Sequence, residues 1–487
     1  MKAKKPMKLP RGIEQQRRPE PPNAAWMSKE DLAQRRYQPG SILLGRDDDG
    51  EMIGLKDDRH LITVAGSRAG KSSTCLKPNL ALWPSSVMCI DPKGELAMET
   101  AELRAAMGQN VMILDPFNEV KGSAAKYRVS YDPMQEILSG KPEDIIDNAA
   151  LVADALIVSP KTSGDDHWAQ SAKNLIRGFI LFAIYTHQEY GNPATLSDVR
   201  TWLTAPMGGE DEEDADKAWM TTMFNIMSEL TAFDGVLAGV GSTMKGKPSN
   251  ERGSIVSSAV EQTAFLDSKQ MNDHLNGSGL ETLRILKREP TTIYLVLPAS
   301  RIATHFRWLR MVLTLAMATL ENEPHQLGED KPVLFILEEF PQLGYMRQIE
   351  AAAGLMAGYK VKLWTVLQDL SQLKSLYKDS WETFIGNAGV VQAFGNTDAT
   401  TLEYISRALG NLRITETKNA TQTATPSRSL GGASYTNDAD STVPLLAPFE
   451  VAQYCERETF QQIIMFAGKP PAYIHRLTHK EIRIASD

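Results

Sequence analysis

The residues with the clearest chemistry are Ala65-Gly66-Ser67-Arg68-Ala69-Gly70-Lys71-Ser72. Their spacing is that of a phosphate-gripping loop, GxxxxGK(S/T), with Ala65 standing at the first glycine. Gly66 and Gly70 let the main chain curl until successive N–H groups face one phosphate, and the helix opening after the loop adds its positive end. Lys71 is placed to reach the β- and γ-phosphates and Ser72 to ligate Mg2+. The expected ATP-binding set is therefore Gly66, Ser67, Arg68, Ala69, Gly70, Lys71, Ser72 and Ser73. Such a loop needs an acid at the end of an apolar strand, and Pro332–Leu337 ends at Glu338-Glu339. Glu338 is the expected Mg2+ residue, and Glu339 the one that polarises the attacking water. Gln368 closes another apolar strand, where it could sense the γ-phosphate. Lys71, Glu339 and Gln368 form the expected catalytic set. Glu338 is one methylene longer than the usual aspartate. Because Mg2+ demands near-octahedral geometry, retained binding with slow hydrolysis is expected. Asp91-Pro92-Lys93-Gly94-Glu95 follows a further strand and has two uses open to it. It is a turn set by Pro and Gly, or Lys93 and Glu95 touch a neighbouring subunit's nucleotide or cargo.

Short apolar, β-branched runs bounded by turn residues must carry these side chains. They are His60–Ala65, Ser86–Ile90, Asn110–Leu114, Thr291–Leu297, Pro332–Leu337, Lys362–Leu367 and Val390–Phe394. Helical patterns such as Glu95–Met107 fill the gaps, which predicts a mostly parallel α/β sheet with its strand ends along one edge. Pro78 should kink or shorten the helix after the phosphate loop. From Tyr131 to Glu289 the periodicity turns helical, as in Ile145–Leu156 and Trp168–Tyr185, around an acidic loop, Glu210–Asp214. The chain thus divides into a basic flexible tail (1–40), a first α/β part (41–130), an inserted all-α domain (131–290) and a second α/β part (291–487). Residues 411–442, rich in Thr, Ser, Asn and Ala, read as a flexible loop.

At 487 residues the chain exceeds the roughly 250–300 that one core supports. A composition 42% hydrophobic and 23% charged excludes a mostly disordered chain, a fibre and a disulfide mini-protein. The net charge of −8 weighs against a general basic coat for duplex DNA and leaves room for a local basic channel. Cys75, Cys89 and Cys455 form no CxxC pair, which argues for a reducing compartment and against structural zinc. The best apolar runs, Phe179–Tyr185 and Met311–Leu320, fall short of the roughly 20 residues of a membrane span. Lys2, Lys4, Lys5, Lys8, Arg11, Arg17 and Arg18 face only Glu14 in the tail. Such a segment is a solvated arm, or a tether to anionic lipid or nucleic acid at about 1 kcal/mol per basic residue.

Taken in order, the motifs resemble the TraG-type coupling proteins of type IV secretion and conjugative DNA transfer systems. These are RecA-like P-loop ATPases related to the FtsK and HerA motors. The resemblance runs from about Gly40 to Ile474. Its carriers are Arg59-His60, Ser67–Ser72, Asp91–Glu95, Tyr131-Asp132-Pro133, His167-Trp168 with Ala172, Glu338–Gly344, Ala357–Lys360, Gln368–Leu373, Pro444-Leu445-Leu446 and Pro470. It implies a RecA-like P-loop NTPase fold with an inserted all-α domain, assembled as a hexameric homo-oligomer with ATP and Mg2+ at subunit boundaries. The insert would recognise cargo, either a relaxase on DNA (the relaxosome) or an effector protein. ATP turnover would drive delivery to the secretion channel components, with single-stranded DNA a further partner. Lys71, Ser72, Glu338 and Glu339 carry over as nucleotide and Mg2+ residues, and Gln368 as the third motif.

Three departures stand against this resemblance. Glu338 replaces an aspartate. No arginine finger lies in Ala357–Lys360, so Lys360, Arg347 or a residue elsewhere must serve. Most members begin with transmembrane helices and none is legible here, which predicts peripheral attachment to the cytoplasmic face of the bacterial inner membrane, through a partner or through residues 2–18. Two alternatives remain: a non-hydrolysing, nucleotide-bound docking platform for cargo, and a cytoplasmic DNA-pumping motor of the FtsK/HerA kind.

Overall fold

The structure is a computed structural model that describes residues 23–158, 166–205, 219–328, 331–420 and 435–485. Its frame is one large sheet. In chain order the strands are β1 (Ile42–Arg46), β2 (Met52–Leu55), β3 (His60–Ala65), β4 (Val87–Ile90), β5 (Asn110–Leu114), β6 (Arg128–Tyr131), β7 (Gly279–Leu280) and β8 (Thr291–Leu295). They continue with β9 (Val333–Leu337), β10 (Val361–Leu367), β11 (Ala388–Phe394), β12 (Asn411–Ala420), β13 (Tyr435–Pro444), β14 (Gln461–Phe466) and β15 (Ala472–His475). The spatial order is β2-β1-β15-β14-β11-β3-β10-β9-β4-β8-β5-β6-β7. From β11 to β7 every pairing is parallel. β14, β15, β1 and β2 add an antiparallel flank.

The central strands are apolar on both faces because both are covered. In β3, Ile62 and Val64 point into one core while Leu61 and Ala65 point into the other. β9 divides in the same way, Phe335 and Leu337 against Leu334 and Ile336. This is the period of two of a strand buried on both sides. A buried polar chain also crosses the central strands. The Trp364 indole donates to Thr63 Oγ1 (2.8 Å), Thr63 to Gln392 (2.8 Å), Gln392 to Gln462 (2.6 Å), and Gln462 to the Leu44 carbonyl (2.6 Å).

Between β6 and β7 the chain is helical, from Pro133–Leu138 to Lys269–Leu275. Its apolar residues share one core with a face of the sheet, Leu175 and Phe179 joining the cluster that holds Ile62 and Leu337. The two apolar runs noted above lie buried in helices Asp166–Tyr190 and Ala299–Asn322. Among the described residues no helix is long and apolar enough to cross a membrane.

Glu136 ties the entrance of this helical segment to its exit. The carboxylate is 3% exposed. It accepts from Thr282 Oγ1 (2.9 Å), the Leu283 N–H (2.7 Å), Thr319 Oγ1 (3.2 Å) and Arg284 Nη1 (3.3 Å). Removing one partner of a buried, hydrogen-bonded charge pair leaves the others unpaired, so Glu136→Ala should cost about 3 kcal/mol of unfolding free energy. Denaturant titration of the variant against the parent checks this, and a loss under 1 kcal/mol would contradict it.

Several expected boundaries are corrected. The flexible tail does not reach residue 40. Ser28 caps a short helix, Lys29–Ala33, the Ala24 N–H reaches the Asn411 carbonyl (3.1 Å), and the Met27 N–H reaches the Pro471 carbonyl (2.7 Å). The basic residues 2–18 lie outside the described residues. The loop expected at 411–442 is not a loop at its ends, since β12 and β13 pair antiparallel from Asn411↔Pro444 to Ala420↔Tyr435. Leu412 and Ile414 alternate with Arg413, Thr415 and Thr417 at its start, which suits an extended ladder that turn-residue content obscured. Residues 421–434 and the acidic loop 210–214 lie outside the described residues. Nor is the block 131–290 helical throughout: β7 returns to pair with β6 ahead of a short helix, Ile285–Arg288.

Candidate nucleotide-binding site

β3 delivers the phosphate loop. Ala65 is its last residue, and no left-handed backbone is needed there. The need for glycine falls one residue later: a Cβ on Gly66 would come 2.1 Å from the Gly395 carbonyl oxygen. A Cβ on Gly395 (φ +61°) would in turn meet Ala69 Cβ at 2.5 Å. The turn after β11 therefore sits hard against the loop. Arg68 (φ 56°) and Gly70 (φ 100°) take left-handed conformations that turn the chain back on itself. Ser73 and Thr74 hydroxyls close the turn on the Gly70 carbonyl, at 3.1 and 2.9 Å. One wide helical turn follows, Ser72–Leu76, then an α-helix, Lys77–Leu82, with Pro78 in its first turn, so the proline shortens the regular helix as expected.

The ends of β3, β4, β9 and β10 meet at a cavity of about 420 Å³. Its walls hold Ser67 to Ser73 from the loop, Glu338, Glu339 and Gln368 from the strand ends, and Asp91, Lys93 and Glu95. Of the expected binding set only Gly66 is not in the wall; its part is the close approach beneath it. Lys93 and Glu95 face this same cavity in their own chain. Asp91 has a structural task as well, its carboxylate accepting the Ala97 N–H (2.8 Å) at the start of helix Glu95–Ala106.

Lys71, Glu338 and Glu339 each have a neutral hydrogen-bond partner. Lys71 Nζ donates to the Ala65 (2.9 Å) and Gly66 (3.3 Å) carbonyls. Burial pushes its pKa down, opposed by the charges of Glu339 and Glu338. Ser72 Oγ donates to Glu338 Oε1 (3.1 Å). Gln368 Nε2 donates to both Glu339 carboxylate oxygens, each at 3.0 Å. Glu339 itself stands at φ 53°, a strained conformation for a non-glycine residue and of the kind found at functional sites. Burial, then the nearby Asp91 charge, raises the Glu338 pKa to about 7; burial likewise raises Asp91 to about 6.

A hydroxyl beside a carboxylate is a hard-oxygen pair that suits Mg2+. Among the described residues no group of three or more His, Cys, Asp or Glu could hold a metal alone, so phosphate oxygens would have to complete the shell. Below pH about 7 such a cation must displace a proton from Glu338, and above it none, so Mg2+-dependent affinity should rise with pH. Between pH 6 and 8 the gain is about tenfold beyond that of Glu338→Gln, read by titrating a non-hydrolysable ATP analogue with Mg2+ into both proteins. Equal pH profiles would contradict it.

Not every expected residue comes to this site. Lys360 lies at the start of β10, on the opposite edge of the sheet, where it lines a separate cavity with Asp57 and Lys362. Arg347 opens a helix, Arg347–Leu355, and does not line the nucleotide-sized cavity. Sequence reasoning missed Gly395, Asn396, whose side chain donates to the Gln368 carbonyl (3.3 Å), and Arg457, which lines the cavity.

A parallel sheet with a glycine-turned loop after its central strand, and two acids and a glutamine on neighbouring strand ends, defines the P-loop NTPase class. The chain belongs to the type IV secretory system conjugative DNA transfer family, whose model matches residues 22–480. It is 27% identical over 455 residues to the conjugal transfer protein TraG of Escherichia coli, covering 88% of this chain and 68% of that protein. It is 25% identical over 448 residues to protein VirD4 of Agrobacterium fabrum strain C58, covering 89% and 61%. Among solved structures it is similar to the bacterial conjugative coupling protein TrwBdeltaN70, with TM-score 0.67, 14% identity, and 93% and 92% of the two chains covered. It is also similar to plasmid coupling protein TrwB in complex with ADP and Mg2+, with TM-score 0.65, 15% identity and 94% of each chain covered.

Proposed function

We propose that this chain is the coupling ATPase of a type IV secretion system, recruiting a DNA–relaxase complex or an effector protein and delivering it to the secretion channel. Family membership supports the system. The observation that carries the enzymatic part is the single cavity joining Lys71, Ser72, Glu338, Glu339 and Gln368. ATP is the ligand, by analogy with the nucleotide held by TrwB. Loop N–H groups and Lys71 bind its phosphates, and Ser72 and Glu338 hold Mg2+. That ion, when bound, neutralises charge on the β- and γ-phosphates. Glu339 orients and deprotonates a water, and the Gln368 amide fixes the Glu339 carboxylate. The helical segment between β6 and β7 is the cargo-recognition domain, and the working form is a homo-oligomeric ring at the cytoplasmic face of the inner membrane.

Turnover of ATP with and without single-stranded DNA, in parent and Lys71→Ala protein, tests the enzymatic part. No activity above the variant under any assembly condition would sink it. Cross-linking in cells, with identification of the attached partners, tests the rest. Channel components and a relaxase support the proposal, and chromosomal DNA partners favour a DNA pump instead. Both oxygens of Glu339 are held by Gln368, and this favours a second reading, a non-hydrolysing, nucleotide-bound docking platform. Tight binding without hydrolysis distinguishes it.

A further inference from the structure

Arg457 lies in the segment between helix Pro448–Tyr454 and β14, in a stretch that carries no recognised motif. It lines the same cavity as the phosphate loop. Its side chain is exposed, and among the described residues no ion pair or side-chain hydrogen bond engages it. The adjacent Glu456 carboxylate is instead turned to the Glu458 N–H (2.8 Å).

The main chain beneath this arginine is pinned from several sides. The Cys455 carbonyl accepts the Gly395 N–H (2.7 Å), and the Thr459 hydroxyl donates to the Tyr454 (2.9 Å) and Glu456 (2.8 Å) carbonyls. Arg476, 2% exposed, binds the segment to the phosphate loop directly. Its Nη2 donates to the Arg457 carbonyl (2.8 Å) and its Nη1 to the Ala69 carbonyl. Its guanidinium lies 4.4 Å from the Phe394 ring centroid and 5.3 Å from that of Phe460. An unpaired cation is thus held on a rigid base tied to the loop that grips phosphate.

Sheet order says which end of the ligand it faces. β14 runs antiparallel to β11, pairing Ala393 with Ile463, so the start of β14 lies beside the end of β11. Along the site edge the order is therefore Arg457, Gly395, the phosphate loop after β3, Gln368 after β10, Glu338-Glu339 after β9, and Asp91 after β4. The carboxylates that serve the γ-phosphate and the cation lie on one side of the loop, and Arg457 on the other.

The geometry points to Arg457 as a nucleotide-contacting residue for the α-phosphate and ribose end, the part that ATP and ADP share. This rests on the cavity being the nucleotide site. A guanidinium on a phosphate or sugar oxygen forms charge-assisted bonds, and losing them costs about tenfold in affinity. The contact persists whether or not a γ-phosphate is present.

The test is calorimetric titration of ADP, and separately of a non-hydrolysable ATP analogue, with Mg2+ in excess. Arg457→Ala should weaken both by about the same factor, near tenfold. Arg457→Lys should recover part of the loss, since it keeps the charge and loses the fork. Unchanged ADP affinity in Arg457→Ala overturns the assignment. A loss confined to the ATP analogue also overturns it, placing the arginine at the γ-phosphate. Failure of the parent protein to bind either nucleotide overturns the nucleotide site itself, and is thereby distinguished from failure of the Arg457 contact.

Discussion

Lys71→Ala should lower ATP turnover by about 1,000-fold, the loss expected when a preorganised cation or donor at the developing charge is removed. Lys71 is a buried cation of the cavity, set between the loop carbonyls and the Glu338 and Glu339 carboxylates. On binding, its ammonium exchanges two neutral carbonyl partners for anionic phosphate oxygens, and charge-assisted bonds are roughly twice as strong as neutral ones. Truncation removes that gain and leaves Glu338 and Glu339 repelling the incoming phosphates. The fold should survive. The amine makes two hydrogen bonds to loop carbonyls that water can replace, a loss of about 1 kcal/mol. A steady-state phosphate-release assay, with thermal unfolding as the fold control, reads both. Lys71→Arg should not rescue, because a planar fork does not replace a compact point charge in a loop this closely packed. Turnover in Lys71→Ala within threefold of the parent would remove the lysine from the mechanism.

The residues that chain-local rules could find were those at the ends of central strands. β3, β9 and β10 are apolar on both faces, so their ends are sharp in sequence: Glu338-Glu339 and Gln368 follow such runs directly, and the loop that carries Lys71 opens where β3 ends. What stayed hidden depends on pairs far apart in the chain. Nothing near Gly66 announces that the Gly395 carbonyl will press against it, nor that Ala65 ends β3 without a left-handed backbone. β14 opens on two glutamines and β15 has only four residues, so neither reads as a long apolar run, and Arg457 and Arg476 outside them carried no signal. Asp91 looked like the first residue of a turn set by Pro and Gly. Packing made it a helix-capping group in the wall of its own site. The sheet was readable because burial writes an apolar run into each central strand. In the antiparallel flank that run is broken, by Gly45 in β1, by Gly54 in β2 and by Gln461-Gln462 at the start of β14.

Glu339→Gln separates binding from chemistry, which Lys71→Ala does not. The substitution keeps size and shape. It exchanges one carboxylate oxygen for an amide nitrogen, so a base is lost while the packing and the left-handed backbone at φ 53° remain. In the parent both carboxylate oxygens accept from Gln368 Nε2 at 3.0 Å, and Oε2 lies 3.4 Å from Gln342 Nε2. In the variant, one amide oxygen still serves Gln368, and the new NH2 must turn towards the cavity. General-base catalysis contributes about 100- to 10,000-fold, so turnover should fall by that range. ATP affinity should stay within about threefold, because no phosphate contact is assigned to this side chain and a pure transition-state loss lowers kcat without raising KM. The variant should therefore accumulate bound, uncleaved ATP, which rapid filtration with labelled nucleotide and chromatography of the retained fraction would show. Retained ADP in place of ATP, at a rate near that of the parent, would assign the base to another residue. Glu338 is then the next candidate, because the same wall holds it.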